Sequence, residues 1–412
     1  MKHLGEDTAR SAGRRWTWLR RPVWIFIVAF ILRAGVTETL VAHSQSFWSV
    51  NEPSWIAAAI VQGHGFSSAF HDATGPTAWL GPVYPALLAC IFRFFGIKTL
   101  ASAVVAILLN VIFSSLTAVV LVQLGREQLS ETAGIVAGWA WALAPPLLLM
   151  PWVLWETCLS GLVLAFAFTA TLGLSGVSRT REWVWCGAIW SFAALLNPAL
   201  LAPLPVLVVS AAMQSRRWKY AALMMLVCIA GILPWTARNF LAFGKIIPVR
   251  SNFWAEFYFG NVEFSPHPTG PSMLYQHEGE ILFVADLKQR ALDFVRSNPK
   301  AFARLTAERT VSFWTQPAYL RPYPLVLLLM TVGGIAQACR RGKRWLAFAA
   351  VVLLYPLIYY ITYTFARYRY PIEPLMYALA GYFVCELWAG SRKLRASSKR
   401  RPRIAKGSSR LL

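Results

Sequence analysis

The stretch GPVYPALLACIFRFFG, Gly81–Gly96, decides how the chain is laid out. It is apolar and could be counted as a membrane span. Doing so turns the basic clusters at Arg179–Arg181, Arg216–Lys219 and Arg340–Arg344 to the outer side. The segment also holds two prolines, Pro82 and Pro85, and an internal Arg93. Proline removes a backbone donor, and a charge at the bilayer centre is costly. The segment therefore reads as a helix in the outer interface, dipping in partway.

The remaining layout follows from that choice. The chain has 412 residues, of which 57% are hydrophobic and 14% charged. Several apolar runs reach the roughly 18 residues that a helix needs to cross a bilayer. The sequence predicts an all-α polytopic membrane protein with ten spans. They are placed near Val23–Val41, Ala101–Leu121, Thr132–Met150, Thr157–Leu174, Trp183–Leu196, Leu200–Met213, Tyr220–Pro234, Pro324–Cys339, Trp345–Tyr363 and Pro371–Trp388. With the N-terminus inside, the inner loops are GREQLSE, SRTRE, QSRRWK and CRRGKR, and each carries Arg or Lys. That is the positive-inside pattern.

The expected organisation has five parts. Residues 1–22 are a basic cytoplasmic tail, and 23–234 a first transmembrane module with an outer loop at 42–100. Residues 235–323 are an outer-facing subdomain, 324–390 the last transmembrane helices, and 391–412 a basic cytoplasmic tail expected to be disordered. The subdomain carries seven of the eighteen acids and is mostly helical near DLKQRALDFVRSNPKAFARL. No internal repeat stands out, so an inverted-repeat transporter gets no support.

The net charge of +22 does not point to nucleic acid. Fifteen of the forty basic residues lie in the two tails, where they satisfy the orientation rule and attract anionic lipid. The six cysteines sit in or beside apolar segments without paired spacing and read as small core residues. No small-residue cleavage site follows the first apolar segment, which reads as an uncleaved anchor.

The outer loops hold the candidate chemistry. In SVNEPSWIAAAIVQGHGF, Ser49–Phe66, Glu52 precedes Pro53. Asn51 or Glu52 caps a short helix, Pro53–Gln62, closed by Gly63 and Gly65. A carboxylate there is favoured by the helix dipole, and it serves either as a cap or as a reactive acid. Glu156, in PWVLWETCL, lies at an outer membrane edge between a solvated acid and a paired one. Arg238, Arg250, Arg321, Arg367 and Arg369 face outward, against the positive-inside bias. They either snorkel to lipid headgroups or bind a phosphate through planar paired hydrogen bonds. His64, His71 and Asp72 match no strong metal-ligand spacing. Arg33 lies inside the first span, paired or snorkelling.

In this order the pieces NEPSWIAAAIVQGHGF, TGPTAWLGPVYPALLACIFRFFG, WETCL, PWTARNFLAFGKIIPVRSNFWAEFYFGN and RYRYPIEPLMYALAGY resemble the polyprenyl-phosphate-dependent glycosyltransferases with the GT-C fold. The nearest branch is the protein mannosyltransferase and aminoarabinose transferase type. The likeness covers most of the chain, and the order and common outer face of the pieces carry it. It implies a GT-C-like architecture with interface helices in the first outer loop. It also implies transfer of a sugar, with inversion, from a polyprenyl-phosphate carrier to a lipid, glycan or protein acceptor. The compartment implied is the outer face of a bacterial cytoplasmic membrane. Glu52 becomes the candidate general base, and Glu156 orients the acceptor or holds a divalent cation with Glu52. These two are the only metal candidates. Arg238, Arg250, Arg367 and Arg369, with His71, become the candidate substrate and lipid-phosphate ligands. One departure is plain: the mannosyltransferases carry an Asp-Glu pair where this chain has Asn51-Glu52. Two other classes remain open, a polyprenyl-lipid transporter or polymerase and a catalytically silent envelope assembly protein.

Overall fold

The computed structural model describes residues 21–43, 48, 52–70, 73–174, 179–263, 275, 278–317, 320 and 322–400. In chain order the helices are α1 Pro22–His43, α2 Glu52–Val61, α3 Val83–Phe95, α4 Leu100–Gln128, α5 Glu131–Leu143, α6 Thr157–Gly173, α7 Thr180–Leu196, α8 Leu204–Ser215 and α9 Trp218–Phe243. They continue with α10 Phe253–Tyr258, α11 Glu280–Ser297, α12 Pro299–Thr315, α13 Pro322–Arg340, α14 Trp345–Leu354, α15 Leu357–Ile361 and α16 Glu373–Arg400. Among the described residues there is no β-strand, only an isolated bridge between Ser67 and Pro76.

The chain is a multi-pass membrane protein. Five helical stretches are long and apolar enough to cross a bilayer: Pro22–Val41, Leu100–Gln128, Pro198–Ser215, Trp218–Phe243 and Pro322–Arg340. A sixth is the pair Glu131–Leu143 and Pro145–Trp152, bent by 62°. Thr157–Gly173 and Trp345–Ile361 are shorter and apolar. A helix lies at each of the ten positions expected from the sequence. The segment that decided the layout folds as α3, only 13 residues long. At 1.5 Å per residue that is about 20 Å, short of the roughly 30 Å hydrocarbon layer. It buries Tyr84, Leu88, Ala89, Ile91 and Phe92 and exposes Phe94 and Phe95, the two-faced pattern of an interface helix.

Two expected boundaries move. The seventh span was ended at Pro234, but α9 runs through that proline to Phe243. A proline inside a membrane helix is tolerated where neighbours satisfy the freed groups. The third span is not straight, because Pro145 and Pro146 stop α5 at Leu143. The carbonyls of Trp141 and Ala142 would ordinarily accept from the amides four residues on, and those residues are the two prolines. Arg33 supplies the missing donors. From the middle of α1, fully buried, it donates to Trp141 O at 2.8 Å and Ala142 O at 3.1 Å. It also donates to Ser114 Oγ on α4 at 2.8 Å. A cation at a helix C-terminus further suits the helix dipole. The arginine that looked anomalous in an apolar span is the C-terminal cap of another helix.

Close packing fixes α4 against α5. Thr99 caps α4 by accepting from Ser102 N at 3.1 Å, and Ser130 caps α5 by accepting from Ala133 N at 3.2 Å. A Cβ on Gly125 would lie 2.2 Å from Gly134 Cα, so the two backbones touch where only glycine fits.

A second, smaller core joins the segment 52–80 to the segment 255–291. It holds Ile56, Phe70, Trp79, Leu80, Phe257, Tyr275, Phe283 and Leu287. Buried Glu280, at the start of α11, latches the loops together. It accepts from Thr77 Oγ1, Ala78 N, Ser251 Oγ and Tyr275 OH.

Arg33→Met keeps the bulk of the side chain and strands the carbonyls of Trp141 and Ala142. We expect a loss of about 1–3 kcal/mol for each stranded group. The fall should be visible as a lower midpoint when the purified protein is unfolded by SDS titration in mixed micelles.

Candidate active site

One cavity of about 910 Å³ opens where the outer loops meet the helix bundle. Its walls bring together parts of the chain that are far apart in sequence. Glu52 starts α2, Glu156 precedes α6, Arg250 follows α9, Glu256 lies in α10 and Arg367 precedes α16.

Local structure explains each placement. Pro53 sits in the first turn of α2, where a missing amide costs nothing, and this leaves Glu52 at the helix start. The chain after the break at Pro145–Pro146 passes through a one-turn helix and a 3-10 turn, Met150–Trp152, before α6 begins. Glu156 stands at that restart, and its carbonyl accepts from Ser160 N at 2.7 Å. The turn after α9 is held by Trp235 Nε1 donating to Val249 O at 3.0 Å and Asn239 Nδ2 donating to Ile247 O at 2.9 Å. Ser251 N donates to Ala78 O at 2.8 Å, which docks the turn on the first outer loop. Gly260 approaches Thr362 so closely that a Cβ would lie 2.0 Å from its carbonyl oxygen. Arg309 clamps the same place by donating to Tyr360 O and Asn261 Oδ1 at 2.8 and 2.7 Å.

In the cavity wall Arg250 donates to Glu156 Oε1 at 2.8 Å and to Leu196 O at 2.7 Å. Asn197, Tyr355 and Tyr359 also line the cavity, and the two tyrosine hydroxyls lie 3.2 Å apart. Glu52, Glu256 and Arg367 line the same cavity. The Arg367 guanidinium lies over the rings of Trp155, Phe365 and Tyr368 at 4.5, 4.9 and 5.4 Å from their centroids. Glu52 is buried, and its Oε2 has no hydrogen-bond partner among the described residues. Burial pushes its carboxyl up to about 7, the Glu256 and Glu156 carboxylates add to that, and Arg367 opposes it. Burial likewise raises the Glu256 carboxyl above its ordinary range, with Arg367 and Arg250 opposing.

The site residues expected from the sequence are thus partly brought together. Glu52, Glu156, Arg250 and Arg367 share the cavity. Arg238 and Arg369 do not line it. Arg238 donates to Phe66 O at 2.5 Å and Thr77 O at 2.6 Å, tying the first outer loop to α9. Arg369 is buried, with Nε donating to Glu373 Oε1 at 2.8 Å and Nη1 to Phe313 O at 2.7 Å. His71 and Asn51 lie outside the described residues. Among the described residues no three His, Cys, Asp or Glu side chains converge as a metal cage, and Glu156 is committed to Arg250. Glu256 was missed in the sequence, where it counted only as one acid of the outer subdomain. Its signal was there: a single carboxylate among five aromatics in FWAEFYF, expensive to bury without a purpose.

No family model matches the sequence, and no curated protein matches it. Solved structures do match. An oligosaccharyltransferase of Archaeoglobus fulgidus, in complex with zinc and sulfate, aligns with 92% of this chain and 52% of its own, at 13% identity and a TM-score of 0.56. ArnT from Cupriavidus metallidurans, bound to undecaprenyl phosphate, aligns with 90% of this chain and 62% of its own, at 14% identity and a TM-score of 0.51. The archaeal oligosaccharyltransferase AglB from Archaeoglobus fulgidus, in complex with an inhibitory peptide and a dolichol-phosphate, aligns with 97% and 53%, at 14% identity and a TM-score of 0.56. The chain therefore spans 52–62% of the length of these proteins. At such identities the likeness is one of fold. This chain has a GT-C-type fold, as its resemblance in sequence implied.

Proposed function

We propose that the chain is a membrane glycosyltransferase that moves a sugar, with inversion, from a polyprenyl-phosphate carrier to an acceptor. The active side is the outer face of a bacterial cytoplasmic membrane, with both termini inside. The acceptor is an envelope lipid, glycan or protein, and the sugar is a hexose or a pentose. One observation carries the reading: a buried carboxylate with an unpartnered oxygen, Glu52, shares a cavity with an arginine that stands over aromatic rings, Arg367. The cavity also has an apolar wall, with Leu201, Ala202, Pro205, Ile232, Leu357 and Ile358. That wall suits an isoprenoid tail, and the matched structures of ArnT and AglB hold undecaprenyl phosphate and a dolichol-phosphate.

The step is a displacement at the anomeric carbon. Glu52 takes the proton of the acceptor hydroxyl as the new oxygen–carbon bond forms. The bond from the anomeric carbon to the phosphate oxygen breaks, and polyprenyl phosphate leaves with one additional negative charge. Arg367 stabilises that charge in a site shielded from water, where such contacts act most strongly. Glu256 shares the cavity and raises the proton affinity of Glu52. Arg238 and Arg369 position the loops around the site. Arg250 is locked to Glu156 in the same cavity.

The first test is transfer from a labelled panel of undecaprenyl-phosphate sugars by the purified protein. Transfer by the wild type that drops by about 10²–10⁴-fold in Glu52→Gln, with lipid binding kept, is the expected result. Binding without transfer in either protein would move the reading to a transporter or a silent relative.

Protonation of Glu52 gives a second expectation. Its carboxyl is pushed up to about 7, so the ionised, proton-accepting form is lost as pH falls below that value. A plot of kcat/KM should rise tenfold per pH unit on the acid side and level off above about 7. Arg367→Ala should lower kcat/KM by roughly 10²-fold, the effect of removing one donor from a developing charge. Steady-state kinetics on the two variants separate base from phosphate ligand.

A further inference from the structure

The part of the cavity around the Glu156–Arg250 pair contains more polar chemistry than the proposed transfer step uses. Ser160, on α6, lines the cavity, and its buried Oγ has no hydrogen-bond partner among the described residues. The Nε of Arg250 is in the same condition, although its Nη2 is bound to Glu156 and Leu196 O. Buried polar groups are rarely left unpaired, and each such group costs about 1–3 kcal/mol unless something completes it. Around them the remaining groups are neutral. Asn197 accepts from Ala199 N through its side-chain oxygen at 3.1 Å, and its amide hydrogen-bonds the Tyr359 hydroxyl. Tyr359 meets Tyr355 through its hydroxyl and stacks on Tyr368, with centroids 4.7 Å apart and planes at 26°.

We infer that this part, formed by Glu156, Arg250, Ser160, Asn197 and Tyr359, is the subsite for the donor's sugar ring, and that the sugar is a neutral polyol. The inference rests on the polyprenyl-phosphate reading above and names the substrate class of the same site. Ring hydroxyls both donate and accept, so they complete a serine hydroxyl and an arginine N–H together. The charges in this part decide against a charged ring. Glu156 and Arg250 neutralise one another at 2.8 Å. An ammonium on the sugar would compete for Glu156 and strand Arg250 as a buried cation, and a carboxylate would do the reverse.

The test uses the full chain in nanodiscs and reads affinity from quenching of tryptophan fluorescence. The probes are undecaprenyl phosphate, undecaprenyl-phosphate pentoses and hexoses with free hydroxyls, and their 4-amino-4-deoxy counterparts. A neutral sugar should tighten binding at least about tenfold over the bare lipid phosphate, and its amino counterpart should not. Ser160→Ala removes one hydroxyl with little change in volume. It should weaken the neutral sugar-lipid several-fold, the order of one lost hydrogen bond, and leave the bare lipid phosphate unchanged. If the bare lipid binds and no sugar adds affinity, the inference fails alone. It also fails alone if amino sugars bind tighter, or if Ser160→Ala weakens all probes equally. If no probe binds, including undecaprenyl phosphate, the lipid-phosphate reading fails and takes this inference with it.

Discussion

A bilayer gives no water to an unsatisfied carbonyl, and the site depends on how that constraint is met at one place. Two consecutive prolines end α5 inside the apolar bundle, and Arg33 replaces the amides they lack. The same guanidinium holds Ser114 on α4, and the Tyr370 hydroxyl donates to that serine at 2.8 Å. Four segments thereby converge on one cation that has no carboxylate partner among the described residues. Hydrogen bonds donated to aligned carbonyls do the work of a counter-ion there. The break also redirects the chain by 62°, so that the next helix restarts at Glu156, within reach of Arg250. A straight third span would carry that acid elsewhere.

The cavity repeats the same logic with different partners. Arg250 and Glu156 pair at 2.8 Å, and each still acts on a neighbour, Glu156 on Glu52 and Arg250 on Glu256. Two further carboxylates, Glu52 and Glu256, share the cavity with Arg367, and Arg250 also acts on Glu256. Burial makes the ionised forms of both acids expensive, and a proton is the cheapest way to settle the imbalance. An acid that holds its proton near neutral pH is matched to the base role proposed for Glu52.

Much of this was legible in the sequence. Hydropathy and the basic loops give an all-α membrane protein, and the short, proline-bearing stretch at Gly81–Gly96 does fold as a helix too short to cross. Glu52, Glu156, Arg250 and Arg367 were marked because charged groups at an outer membrane edge need a reason. What could not be read was where each donor is spent. Arg238 and Arg369 carry the same guanidinium as Arg367, but theirs are consumed by Phe66, Thr77, Phe313 and Glu373. Glu373 even stood in the quoted motif, four residues after Arg369, the spacing of a helical ion pair. Arg33 was marked without its partners, because they lie 81 to 109 residues downstream. Glu256 hid among aromatics whose inward face only the folded outer core defines.

The distance between Arg33 and its carbonyls has a consequence for biosynthesis. Trp141 is made 108 residues after Arg33. At roughly 5–20 residues per second, α1 waits on the order of 5–20 s for the helix end that completes it. During that interval an arginine near the centre of a membrane helix costs about 2.5–3.5 kcal/mol on insertion scales. The first helix therefore enters the bilayer as an incomplete part, held by its apolar residues and basic flank. Its hydrogen bonds to Trp141 and Ala142 can form only once α5 has been made.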